Sequence, residues 1–162
     1  MDHDLGSVES DAISFLLKHG ADVDSRDGDH CTPLHLAASW DSLEVAQILL
    51  ERGADIDSCN NKGQTPLHMA CSSDYGTEVA QLLLEHGANV NAPDNNFDTP
   101  LLAAVCMLNV DAARILLGHG AEPNVKNKER KTSLHLLPEY SWNFSILHRF
   151  TSVLEHGADV NA

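Results

Sequence analysis

Ten histidines, four cysteines and several aspartate pairs are the side chains of this 162-residue sequence that invite chemistry. Histidines with cysteines or carboxylates hold zinc when three or four of them converge on one ion. Two carboxylates in unlike surroundings split their pKa values and act as general acid and base, and Asp22 with Asp24, or Asp55 with Asp57, have that look. A cysteine becomes a nucleophile beside a positioned base and an oxyanion site. Cys31, Cys59, Cys71 and Cys106 lie 28, 12 and 35 residues apart, which fits neither zinc ligation nor a disulfide framework. They read as reduced thiols of an intracellular protein. A P-loop, a dinucleotide glycine fingerprint and a serine nucleophile elbow are all absent.

Spacing decides among these readings. Gly-Ala followed by Asp, Asn or Glu begins at Gly20, Gly53, Gly87, Gly120 and Gly157, at intervals of 33, 34, 33 and 37. Thr32-Pro33-Leu34-His35-Leu36-Ala37-Ala38 keeps step with it. It returns as Thr65-Pro66-Leu67-His68-Met69-Ala70-Cys71, as Thr99-Pro100-Leu101-Leu102-Ala103-Ala104, and worn as Thr132-Ser133-Leu134-His135-Leu136-Leu137. Two landmarks with one period define a structural repeat. Thr suits a helix N-cap, and Pro suits the first helical position, where its missing N–H is no loss. A second apolar run (Val45, Ala46, Ile48, Leu49 and Leu50; then Val79, Ala80, Leu82, Leu83 and Leu84) has helical spacing and ends at Gly53 or Gly87. The Asp-, Asn- and Gly-rich residues before the next Thr predict a turn. Each unit is therefore helix, short loop, helix, projecting turn.

This period disarms the candidate sites. A histidine that recurs once per unit is held one unit from its counterpart and does not converge on a shared ion. His19, His86, His119 and His156 each precede the Gly that ends a second helix, where an imidazole suits the negative end of the helix dipole. The aspartates recur at every helix-to-turn junction, where they stabilise turns by bonding backbone. No Cys/His arrangement is unique. The expectation is no enzyme, no metal and no cofactor.

The TPLH and Gly-Ala-Asp landmarks resemble the ankyrin repeat family, over nearly the whole chain from about Ser7 to Ala162. The resemblance implies an all-α solenoid of stacked helix-loop-helix units with β-turn fingers, stabilised by nearest-neighbour stacking. The chain divides into a half repeat at 7–24 and repeats at about 27–59, 60–93, 94–126 and 127–162. His35, His68 and His135 then hydrogen-bond back to their Thr. The resemblance also implies a protein or peptide partner on a concave surface of fingers and first helices. The matching positions are Gly28, Asp29, Cys31, Ser39 and Trp40 in the first full repeat, and Asn61, Lys62, Gln64, Ser72 and Ser73 in the second. The third supplies Asn95, Asn96, Asp98, Cys106 and Met107, and the fourth Lys128, Glu129 and Lys131. Trp40 is the foremost anchor, with Phe97 and Met107 next, because exposed aromatics dominate interfaces. Asn91 and Asn161 match positions that an asparaginyl hydroxylase modifies in related proteins.

Departures from the pattern carry expectations too. The family's finger has Gly two residues before the Thr, but only Gly63 conforms, with His30, Phe97 and Arg130 elsewhere. A left-handed conformation there costs a non-glycine residue about 1–2 kcal/mol, which predicts altered finger shapes. In the half repeat, Phe15, Leu16 and Leu17 are expected to pack inward, and Glu9, Asp11, Ser14 and Lys18 to face water. The second repeat has an extra residue near Asp74-Tyr75-Gly76. The fourth is broken by Pro138 and carries the aromatic insertion Tyr140, Trp142 and Phe144. The stop at Gly157–Ala162, a finger base, predicts that the parent polypeptide continues. The alternative to a free-standing interaction module is then the recognition segment of a larger protein, a ubiquitin-ligase receptor, kinase or channel.

Charge narrows the partner. The formal net charge is −14, and residues 1–80 hold −11 of it (15 acids, 4 basic residues) against −3 in residues 81–162 (9 and 6). Binding a phosphate backbone needs lysines and arginines to release counterions, so nucleic acid is not an expected partner. Lys126-Asn127-Lys128-Glu129-Arg130-Lys131 is the single basic run. No stretch reaches the roughly 18 apolar residues of a membrane helix, and the acidic start is unlike a signal peptide. A monomer in the cytoplasm or nucleus is expected.

Overall fold

The computed structural model describes residues 5–73 and 77–136, with side chains from Ser10 onward. The Asp74–Gly76 insertion, Pro138, the Tyr140–Phe144 aromatics and Asn161 lie outside the described residues, as does most of the fourth repeat. The described helices are α1 (Leu5–Lys18), α2 (Pro33–Ser39), α3 (Leu43–Glu51), α4 (Pro66–Cys71), α5 (Glu78–Glu85), α6 (Pro100–Cys106), α7 (Val110–Gly118) and α8 (Ser133–Leu136). Among the described residues no strand occurs.

Thr32, Thr65 and Thr99 are the N-caps of α2, α4 and α6, in extended conformation with Pro next in chain. These inner helices have only seven, six and seven residues, too few to persist alone in water. Stacking holds them. The inner layer packs α2 on α4, α4 on α6 and α6 on α8, and the outer layer packs α1 on α3, α3 on α5 and α5 on α7. Leu34, Leu67 and Leu101 from the inner layer meet Leu49, Leu83 and Leu116 from the outer, all fully buried. Ala37, Ala38, Ala70 and Ala104 keep the layers close.

The outer helices end as their sequence requires. Gly53 at φ +82 closes α3, with its N–H donated to the Leu50 carbonyl and that of Ala54 to the Leu49 carbonyl. That is the Schellman arrangement, which needs a left-handed residue at C′. The same pattern ends α2 and α6, where Asp41 (φ 51) and Leu108 (φ 56) take the left-handed place without being glycine. Sequence alone marked neither. Asp41 also reaches forward, its Oδ1 accepting from the Val79 N–H at 2.9 Å in the first turn of α5.

The half repeat differs from expectation. Ile13 and Leu17, one helical turn apart, face the core, whereas Phe15 and Leu16 are exposed. At about 100° per residue, three consecutive side chains cannot share one face. Phe15 instead lies against His19, with ring centroids 4.1 Å apart. Asp11 and Lys18 face water as expected.

Candidate protein-binding surface

Each finger is built on one Asx residue five positions before the Thr. Asp27 Oδ1 accepts from the N–H groups of Asp29 and Cys31; Asn60 serves Lys62 and Gln64, Asp94 serves Asn96 and Asp98, and Asn127 serves Glu129 and Lys131, at 2.7–3.0 Å. Fingers are then joined edge to edge. The carbonyls of Asp29, Lys62 and Asn96 accept from the N–H groups of Asn61, Asn95 and Lys128 in the following finger, at 3.0, 3.0 and 2.8 Å.

This bonding overrides the expectation of altered finger shapes. His30, Phe97 and Arg130 are left-handed at φ 60, 59 and 61, in the place that Gly63 takes at φ 75. Each finger has about five hydrogen bonds, each worth roughly 0.5–1.5 kcal/mol, against about 1–2 kcal/mol of left-handed strain. The turn wins. At Gly63 the next finger comes close enough to meet an added side chain. Asn95 donates through Nδ2 to the Asn61 carbonyl at 3.0 Å, and a Cβ on residue 63 would lie 2.6 Å from Asn95 Oδ1.

Several contact positions expected from the sequence come together behind fingers two and three. Gln64 and Asp98 from the fingers, with Ser72, Cys106 and Met107 from the ends of α4 and α6, line a cleft of about 180 Å³. Met107 and Cys106 are exposed on its rim, while Ser72 Oγ donates to the His68 carbonyl at 2.9 Å. Asp98 Oδ1 accepts from Asn127 Nδ2 at 3.0 Å, which ties the cleft to finger four. Asp29, Asn61, Lys62, Asn95, Asn96, Lys128 and Lys131 are exposed along the fingers. Lys128 Nζ sits 5.4 Å from the centre of the Phe97 ring, which is 53% exposed. Lys131 pairs with Glu129 at 2.7 Å and depresses that carboxyl.

Four expected positions, Cys31, Ser39, Trp40 and Ser73, lie away from both the cleft and the exposed finger row. Cys31 and Ser73 are buried and present no side chain to a partner; Cys31 is covered by the neighbouring finger, with Asn60 Nδ2 3.7 Å from its sulfur. Trp40 is 71% exposed, but it lines a different groove of about 340 Å³ between α1 and α2, with Ile13, Leu36 and Ala37. Ser39 turns back, its Oγ donating to the His35 carbonyl at 3.0 Å. His30 is a surface residue that sequence reasoning passed over, while Arg130 entered it only as part of the basic run. Their signal was the missing glycine.

Most of the other chemistry-bearing side chains among the described residues are engaged in the scaffold. His35 Nδ1 accepts from the Thr32 N–H at 3.1 Å, so Nε2 carries the proton and donates to the Gln64 carbonyl at 2.9 Å. His68 repeats this with Thr65 at 3.1 Å and the Asp98 carbonyl at 3.0 Å. Burial lowers both imidazole pKa values, opposed chiefly by those carbonyls. His19, His86 and His119 donate from Nδ1 to the carbonyls of Phe15, Leu82 and Ile115 at the ends of their helices. The junction carboxylates form a ladder: Asp24 accepts from Asp55 N–H, Asp57 from Asn89 N–H, and Asn91 Oδ1 from Glu122 N–H, at 2.9–3.0 Å. Asn91 Nδ2 also donates to the Gly120 carbonyl at 3.3 Å. Burial pushes the Cys71 thiol up to about 12, and burial with the Asp98 charge raises that of Cys106. A raised pKa suppresses the reactive thiolate. Among the described residues no three His, Cys, Asp or Glu side chains are grouped to hold a metal, and no helix is long and apolar enough to cross a membrane.

Two family models match the chain. Ankyrin repeats in three copies match residues 52–127, and ankyrin repeats in many copies match residues 16–70. No curated protein matches.

Proposed function

Because the chain belongs to the ankyrin repeat family, we propose that it is a non-catalytic protein-interaction module that holds a segment of a partner protein against its fingers and inner helices. The observation that carries this is the cleft behind fingers two and three, where Gln64, Ser72, Asp98, Cys106 and Met107 surround an open space while the scaffold's own bonds are satisfied around it. A surface pre-organised by stacking loses little entropy when it binds. Affinity purification followed by Met107→Asp tests the reading. The charge should abolish capture of partners while circular dichroism stays unchanged, since Met107 is at the surface. Full capture by a folded Met107→Asp protein would move the site off the cleft.

A modification reading attaches to Asn91. A hydroxyl on its Cβ would leave both amide bonds, to Glu122 and Gly120, in place. Mass spectrometry of the peptide containing Asn91, from cells that hold an asparaginyl hydroxylase, should show the gain of one oxygen. An unmodified peptide removes the proposal.

A further inference from the structure

Large side chains stand where glycine would be free of strain. Of the four described fingers, three put His30, Phe97 or Arg130 at the left-handed position, and all three side chains are exposed. The finger bonds hold these residues in that conformation, and residues held so cluster at binding sites. Fingers three and four concentrate the effect. Phe97 is braced by Lys128, and Arg130 stands with Lys126 in the only basic run of an acidic chain. The Lys131–Glu129 pair neutralises itself, leaving Lys126, Lys128 and Arg130 as the cations of finger four. None of the three is within ion-pair distance of a described carboxylate. The neighbouring cleft is rimmed by Met107 and Cys106, with Asp94 and Asp98 among its lining residues.

We infer that this end of the surface selects an extended protein segment that places an apolar side chain in the cleft and carboxylates on finger four. The inference rests on the proposed interaction function and specifies its partner. The cleft supplies the thioether of Met107 and the thiol of Cys106 to an apolar side chain. Asp98 repels an acid there and favours a donor. One repeat step along the stack is about 10 Å, and an extended chain advances about 3.3 Å per residue. The first carboxylate therefore lies about three positions from the apolar residue along the segment. Arg130 and Lys128 then meet it with charge-assisted bonds.

The probe is a display library of random segments of about twelve residues, long enough to span the fingers when extended. Selection on the intact chain should enrich an apolar residue with Asp or Glu about three positions away, in one chain direction. Phe97→Gly and Arg130→Gly should each weaken the enriched segments about tenfold, with a melting temperature unchanged or raised because left-handed strain is relieved. Enriched segments that are lost with Met107→Asp but indifferent to both glycine variants would overturn this inference and leave the interaction reading intact. Segments indifferent to all three variants, or no enrichment, would overturn both. Basic enriched segments, or an RNA oligonucleotide held as tightly by finger four, would also overturn the assignment.

Discussion

Left-handed backbone is the feature of single residues that most separates this chain from a regular array. At Gly63 the φ of 75 and the nearness of Asn95 make glycine the residue that fits. Gly63→Ala should destabilise by about 1–2 kcal/mol from strain alone, more if Asn95 is displaced, and urea denaturation reads it. His30→Gly runs the other way. Relief of about 1–2 kcal/mol is partly offset by glycine's greater freedom when unfolded, about 0.4–1 kcal/mol, so a net gain of some tenths is expected. Loss of stability there would mean that His30 makes the finger. A second residue-scale prediction concerns acid. Burial lowers the pKa of His35 and His68, and a proton on Nδ1 would also face the N–H of Thr32 or Thr65. The unfolded chain takes up these protons near the ordinary value of 6.5, and the folded chain only at lower pH. Stability is therefore full above about 6.5 and falls as pH drops below it, by at most about 1.4 kcal/mol per pH unit for each imidazole. Leu102 occupies the same place in α6, with Thr99 Oγ1 accepting from its N–H. His68→Leu should therefore fold and show a shallower acid loss in melts between pH 7.5 and 5.5.

Helices, by contrast, were largely legible from the sequence, because Thr-Pro starts and Gly ends are local signals repeated in step. Thr32, Thr65 and Thr99 cap where the pattern put them. Less legible was what depends on neighbouring elements. Sequence gave Phe15 and Leu16 an inward face that helix geometry denies, and it showed nothing of Asp41 or Leu108 in left-handed loops. The candidate surface divided in the same way. Gln64, Ser72, Asp98, Cys106 and Met107 converge, but Cys31 and Ser73 vanish beneath adjacent repeats, and Trp40 faces a separate groove beside α1. Position within a repeat says how far a side chain projects, while its neighbours decide whether it is covered. That dependence sets an energetic expectation. Leu83 of α5 is fully buried, and α5 packs against α3, α4 and α7. Leu83→Ala should cost about 2–5 kcal/mol and lower the thermal midpoint sharply, because helices this short have no stability of their own to fall back on. A midpoint unchanged within error would contradict the stacking description.

At the scale of the whole molecule, charge becomes a question of distance. Of the acidic half, Asp29 and Asp57 lie three and two repeat steps from finger four, roughly 20–30 Å at about 10 Å per step. The cations of finger four lie within a few ångströms of a segment docked there. Screening separates the two. At about 10 mM salt the Debye length is about 30 Å, so the acidic half repels an incoming acidic segment across its whole approach. At about 150 mM it is about 8 Å, which hides the acidic half and leaves the local attraction of Lys126, Lys128 and Arg130. Near 1 M it is about 3 Å, and that attraction fades as well. The association rate of an acidic-ended segment, measured by surface plasmon resonance across this range, should therefore rise and then fall. Arg130→Gly should lower the maximum and flatten the descending limb, because local cation attraction is what that limb reports. The rising limb should survive in the variant, since the acidic half is untouched. A rate that falls steadily from the lowest salt would show that the acidic half has no reach to finger four. A rate that only rises would show that the fourth finger's cations do not meet the segment at all.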